Sequence, residues 1–104
     1  MKTRVILGSV DEVPEGGIKR FDLGGRPIAV SRVEGVFYAI DDTCTHAQAS
    51  LSEGKLLPDR VIQCPRHGGR FSLATGKAVR LPAFTPVHTY PVIVEGDKLV
   101  VETP

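Results

Sequence analysis

Apolar positions in this chain fall in short runs that alternate or cluster without settling into a sustained helical period. Val5 to Ser9, Lys19 to Leu23, Pro27 to Val33, Val36 to Ile40, Arg60 to Gln63, Thr89 to Glu95 and Lys98 to Glu102 are rich in β-branched and aromatic residues, with turn formers between them. Each reads as a strand. Asp22-Leu23-Gly24-Gly25-Arg26, Val33-Glu34-Gly35-Val36 and Val94-Glu95-Gly96-Asp97-Lys98 read as hairpin turns in which glycine supplies a positive φ. Only Asp11 to Glu15 reads as a single helical turn. The pattern predicts an all-β domain, a small sandwich or barrel, and 104 residues suit one domain with a real but small core.

Charge adds exclusions. Thirteen Lys and Arg against twelve Asp and Glu leave a net charge of +1, and no basic tract or basic amphipathic helix stands out, so neither a nucleic acid nor a membrane is an expected partner. The start of the chain, Met1 to Gly8, holds only a three-residue apolar run, Val5-Ile6-Leu7. That is too short for a signal peptide or a spanning helix. The expected compartment is the cytoplasm, where two cysteines serve a metal more readily than a disulfide between Cys44 and Cys64.

The chemistry is concentrated in residues 44 to 71. Both cysteines of the chain and two of its three histidines lie there, as Cys44-Thr45-His46 and Cys64-Pro65-Arg66-His67-Gly68-Gly69-Arg70-Phe71. Thiolate and imidazole offered together, twice, suit iron or zinc rather than calcium or magnesium, which prefer oxygen. Zinc fingers usually pair Cys with Cys and His with His, so that each turn clamps one ion. Here each loop supplies one of each, as though it reached two metal centres side by side. That is the ligation of a Rieske [2Fe-2S] cluster, in which two His replace two Cys on one iron. An internal echo, Ser-Leu-x-x-Gly-Lys at 50–55 and again at 72–77, suggests two loops built alike, each running into a short strand and a turn at Gly54 or Gly76 and facing the other across the cluster. His88 falls outside both boxes and reads as structural.

The two boxes resemble those of the Rieske family. From about Asp41 to Glu102 the chain is similar to the small Rieske-type ferredoxins of bacterial aromatic-ring dioxygenase systems, including Gly69-Arg70-Phe71, Thr75-Gly76-Lys77, Tyr90-Pro91-Val92 and Val94-Glu95-Gly96. The resemblance implies a Rieske-type antiparallel β-sandwich or barrel: a single domain over 1–104, with a two-loop cluster-binding part at about 41–85 inserted in a basal β-domain. It implies one [2Fe-2S] cluster, with Cys44 and Cys64 on the inner iron and His46 and His67 on the outer iron at the protein tip. Gly68 and Gly69 would let backbone N–H groups approach the cluster sulfurs. Leu81-Pro82-Ala83-Phe84-Thr85-Pro86 resembles the proline loop that covers the cluster.

By the same resemblance the protein is a one-electron carrier and not an enzyme. It would serve aromatic hydrocarbon catabolism as a monomer, meeting an NADH- and FAD-dependent ferredoxin reductase and a terminal oxygenase transiently. A Rieske subunit of another multicomponent oxidoreductase, such as a nitrite-reductase-like small subunit, is the alternative; a zinc-stabilised binding module is a third. Where the respiratory branch has an extra Cys after each ligand pair and a Ser and a Tyr after the second His, this chain has Ala49, Arg66, Gly69 and Phe71. Fewer hydroxyl donors imply a potential near the bottom of the Rieske range of roughly −150 to +300 mV. Arg66, Arg70, Lys77 and Arg80 by the second box and Asp41, Asp42 and Glu53 by the first read foremost as an ordinary solvated face, with a basic rim near the exposed histidines as the alternative.

Overall fold

Alternation along two adjoining strands gives the molecule its layers. β3 (Arg26–Val33) and β4 (Val36–Asp41) are joined at a tight hairpin and pair antiparallel, with Ala29 opposite Ile40 and Val30 opposite Ala39. Successive side chains leave a strand on opposite faces. Ile28, Val30 and Ala39 accordingly enter one buried core with Phe21, Tyr90, Leu99 and Val101, while Ala29 and Ile40 enter a second with Leu51, Ile62, Phe71 and both cysteines. The β3–β4 pair is a wall with a core on each side. The computed structural model that shows this describes residues 3–44, 49–66, 68–81, 83 and 85–103.

Around that wall lie three antiparallel sheets. The middle one runs β2 (Ile18–Leu23), β3, β4, β9 (Thr89–Tyr90); on one side is β1 (Thr3–Ser9), β11 (Lys98–Thr103), β10 (Val92–Glu95). The third, built wholly from residues 55–80, runs β5 (Lys55–Leu57), β6 (Val61–Gln63), β7 (Arg70–Ser72), β8 (Ala78–Arg80) and contributes Ile62 and Phe71 to the core that holds the cysteines. This third sheet interrupts the chain between β4 and β9, which are neighbours in the middle sheet. No helix among the described residues is long and apolar enough to cross a membrane.

The all-β reading and its three hairpins are present, and the differences have local causes. Thr89 to Glu95 is two strands in two sheets: Pro91, which has no N–H to give to a ladder, marks the step from β9, paired with β4, to β10, paired with β11. Arg60 belongs to a turn, since it and Asp59 both adopt left-handed backbone, at φ 58° and 66°. The expected turn at Asp11 to Glu15 is a 3₁₀ turn over Val10–Glu12, begun by a capping box in which Ser9 accepts from the Asp11 N–H and Glu12 accepts from the Ser9 N–H. β5, β7 and β8 are three residues each, too short for alternation to show.

The echoed motif is not a repeated fold. At 50–55 it forms a 3₁₀ turn, Leu51–Glu53, with Gly54 at φ −82°; at 72–77 it leaves β7 and turns at Gly76, φ +77°. What the segments share is crowding. A methyl group on Gly54 would overlap the Gln63 carbonyl, one on Gly76 would overlap the Val87 carbonyl, and Leu51 and Leu73 are buried in the same core.

Where the inserted sheet leaves and rejoins the wall, the two ends are tied together. Asp41, the last residue of β4, accepts from Nε and Nη2 of Arg26, each at 3.0 Å, and from the Tyr90 hydroxyl at 2.6 Å, while its N–H donates to the His88 carbonyl at 2.9 Å. The His88 ring lies edge-on to Tyr90, 4.8 Å between centroids. Burial first, and then the hydrogen bond to Asp41, pushes the Tyr90 phenol up to about 12.

Two outcomes follow from these contacts. Gly24→Ala, where only left-handed backbone is penalised, should cost on the order of 1 kcal/mol; Gly76→Ala should cost clearly more in chemical denaturation, because backbone must also move. Tyr90→Phe should cost about 1 to 3 kcal/mol at neutral pH. Because the folded protein holds the phenolic proton above its ordinary value of about 10, this stabilisation is complete below pH 10 and fades as pH rises through about 12. The gap between wild type and Tyr90→Phe should close over that window in urea titrations.

Candidate metal centre

The two cysteines stand at matching places in two loops. The first loop leaves β4 through Asp42 and returns at Ser50, with Thr43 and Ser50 bridged; inside that bridge the Cys44 N–H donates to the Ala49 carbonyl at 3.0 Å. The second loop joins β6 to β7, and inside the Gln63–Arg70 pair the Cys64 N–H donates to the Gly69 carbonyl at 2.8 Å. In both, the N–H of the cysteine closes the loop onto the carbonyl five residues on. The loops are therefore alike at their cysteines, one step from the motif that suggested it.

Both thiols are deep. Cys44 is 3% and Cys64 1% exposed, they share one apolar core, and no disulfide joins them. Two soft, buried donors delivered from separate loops fit a thiolate-bound metal centre better than packing alone. Leu51, Phe71, Leu73 and Ala83 pack in the same core; of the 81–86 segment, Ala83 is buried and Leu81 is exposed. His46 and His67, the other two expected ligands, lie outside the described residues, as do Thr45, Pro82 and Phe84.

Details of the second loop follow from its turn. Gly68 sits at φ +72°, a conformation that glycine adopts without strain. A cleft of about 390 Å³ opens beside Cys64, between Pro65 and Gly68 on one side and Glu53 to Lys55 on the other. Arg66, Lys77 and Arg80 are exposed. Arg70 is half-buried and donates to Gln63 across the hairpin at 2.9 Å.

The acidic edge by the first loop is different from the solvated one predicted. Only Glu53 is exposed. Asp41 is held in the Arg26–Tyr90 network, and Asp42 is 2% exposed. Asp42 accepts the Ser50 hydroxyl and, at 2.8 Å, the Ser52 N–H, while its carbonyl accepts the Leu51 N–H at 2.7 Å. Composition could not reveal this buckle. The clue in the sequence was Ser50 and Ser52, hydroxyl residues at the spacing that suits capping by a nearby carboxylate.

Comparison with known proteins joins this geometry to a family. Residues 3–91 match the Rieske [2Fe-2S] domain. The chain is 46% identical over 101 residues to the 3-phenylpropionate/cinnamic acid dioxygenase ferredoxin subunit of Escherichia coli (strain K12), covering 97% of this chain and 94% of that one. Its structure is similar to the ferredoxin of carbazole 1,9a-dioxygenase from Nocardioides aromaticivorans IC177, with TM-score 0.91, 36% identity and coverage of 95% and 96% of the two chains. It is also similar to a chain in a complex of reduced oxygenase and oxidized ferredoxin in carbazole 1,9a-dioxygenase, with TM-score 0.86, 40% identity and coverage of 94% and 91%. The chain belongs to the Rieske [2Fe-2S] domain family as an electron-transfer protein of the ferredoxin type, and its cofactor is a Rieske [2Fe-2S] cluster.

Proposed function

We propose that Cys44 and Cys64 bind one iron as thiolates, that His46 and His67 bind the other as neutral imidazoles, and that the chain carries single electrons from an NADH-dependent flavin reductase to a terminal aromatic-ring dioxygenase. The observation that carries this reading is the pair of buried cysteines, each at the mouth of a loop closed by the same backbone bond. When bound, the cluster supplies a one-electron couple. The chain's own part is to deliver two thiolates into a dry core, to hold their loops by paired backbone groups, and to shut out water with Leu51, Leu73 and Ala83. Residues of about 41–85 form the cluster-binding part and the remainder a platform beneath it. It acts as a cytoplasmic monomer whose partners dock briefly through small interfaces.

Phe71 supports a low potential. It is fully buried in the core that contains Cys64 and has no hydroxyl to donate to ligand or cluster sulfur, so the reduced state loses one source of stabilisation. The midpoint belongs near the bottom of the range of roughly −150 to +300 mV.

Absorption and low-temperature EPR spectra before and after dithionite test the reading. The expected result is a red-brown protein that gains, on reduction, the low-average-g signal of mixed nitrogen and sulfur ligation, with a midpoint at the low end of the range. A colourless, EPR-silent protein holding stoichiometric zinc would overturn it. A second outcome concerns docking: with Arg66 exposed beside the second loop, Arg66→Glu should slow electron transfer to the oxygenase at low salt and flatten its salt dependence. Stopped-flow rates that do not change at low salt would remove Arg66 from the docking surface.

A further inference from the structure

The carboxylate of Asp42 is buried two residues before Cys44, an expensive place for a charge. Its oxygens accept from the Ser50 hydroxyl and the Ser52 N–H. Both partners are neutral. Among the described residues Asp42 forms an ion pair with the Arg20 guanidinium, whose Nε is 3.8 Å from Asp42 Oδ2 and whose side chain is 60% exposed, at a cleft of about 190 Å³ that Arg20 and Asp42 line together with Thr43, Ala49 and Ser50. Asp41, one residue back, faces a different way and is matched in two-point geometry by Arg26. Asp42 is thus a negative charge set in the interior with a counter-charge that is solvated and held at one point.

A neutral asparagine would keep the loop closed, since its carbonyl can accept from the Ser52 N–H and its amide can donate to the Ser50 hydroxyl. Closure of the loop therefore does not require the charge. A fixed negative charge close to a centre that gains an electron disfavours the reduced state, and more strongly where water is excluded. We propose that Asp42 and Arg20 form an opposed electrostatic pair that sets the reduction potential of the cluster, Asp42 lowering it and Arg20 raising it. Asp42 is a positioning residue for the first loop as well, but the potential follows its charge. The proposal rests on the ligation given above.

The test is spectroelectrochemical titration of the cluster-loaded protein as wild type, Asp42→Asn, Arg20→Gln and Asp97→Asn, the last being an exposed charge in the β10–β11 turn. Asp42→Asn should move the midpoint upward, raising the reduced-to-oxidised ratio at the wild-type midpoint by on the order of three- to tenfold. Arg20→Gln should move it downward by less, and this shift should shrink at high salt because Arg20 is exposed. Asp97→Asn should leave it in place. Visible circular dichroism of each variant reports whether the cluster environment is retained. A retained cluster in Asp42→Asn with an unmoved or lowered midpoint overturns the proposal. If Asp42→Asn does not fold, Arg20→Gln decides it, and an unmoved or raised midpoint overturns it. A wild-type protein without the Rieske spectrum refutes the ligation reading instead, which separates the two failures.

Discussion

Everything in the half of the molecule that holds the cysteines depends on a backbone constraint. A chain that turns twice through an apolar interior must still find partners for its buried N–H groups. Cys44 and Cys64 meet this by donating to carbonyls of their own loops, Ala49 and Gly69. Each loop is thereby a closed ring whose base is pinned, by the Thr43–Ser50 bridge in one case and the β6–β7 ladder in the other. Both thiols then lie in one buried core.

The wall of β3 and β4 explains how those rings are held over a stable platform. Its alternation divides the interior in two, so that Ala39 faces the basal core and Ile40 faces the core of the cysteines. The same divergence continues past the strand end. Asp41 is committed to Arg26 and Tyr90, which fastens β4 to β9, and Asp42 is committed to Ser50 and Ser52, which fastens the first loop. Two adjacent carboxylates thus perform two separate tasks, one tying β4 to β9 and the other shaping the loop of Cys44.

Much of this was legible in the sequence. The all-β class, the long strands of the platform and the three glycine hairpins follow from period and turn chemistry, and the paired Cys and His residues pointed to the metal and the family. The short strands were not legible: Arg70-Phe71-Ser72 has one apolar residue, and what makes it a strand is pairing with β6 on one side and β8 on the other. Nor was the fate of the aspartates. Asp41-Asp42 reads as surface charge from composition, and only the fold brings Ser50, Ser52, Arg26 and Tyr90 to them. The echoed Ser-Leu-x-x-Gly-Lys pointed to likeness in the right region for the wrong reason, since its glycines answer to crowding by Gln63 and Val87.

The arrangement also suits the demands of electron transfer. A site whose groups are already placed needs little rearrangement when its charge changes, and pinning the base of each loop, by the Thr43–Ser50 bridge in the first and the β6–β7 ladder in the second, supplies that fixity at the cysteines. The cost is borne by the interior: Asp42 must be buried to tie the first loop from within. Its burial is tolerated because Ser50 and Ser52 satisfy its oxygens, and the charge it leaves beside Cys44 acts in the same direction as the missing hydroxyl at Phe71. On the proposals made above, both oppose the arrival of an electron, and a carrier with those two features gives its electron up readily, so that the group that closes the loop would also bias the direction in which current flows.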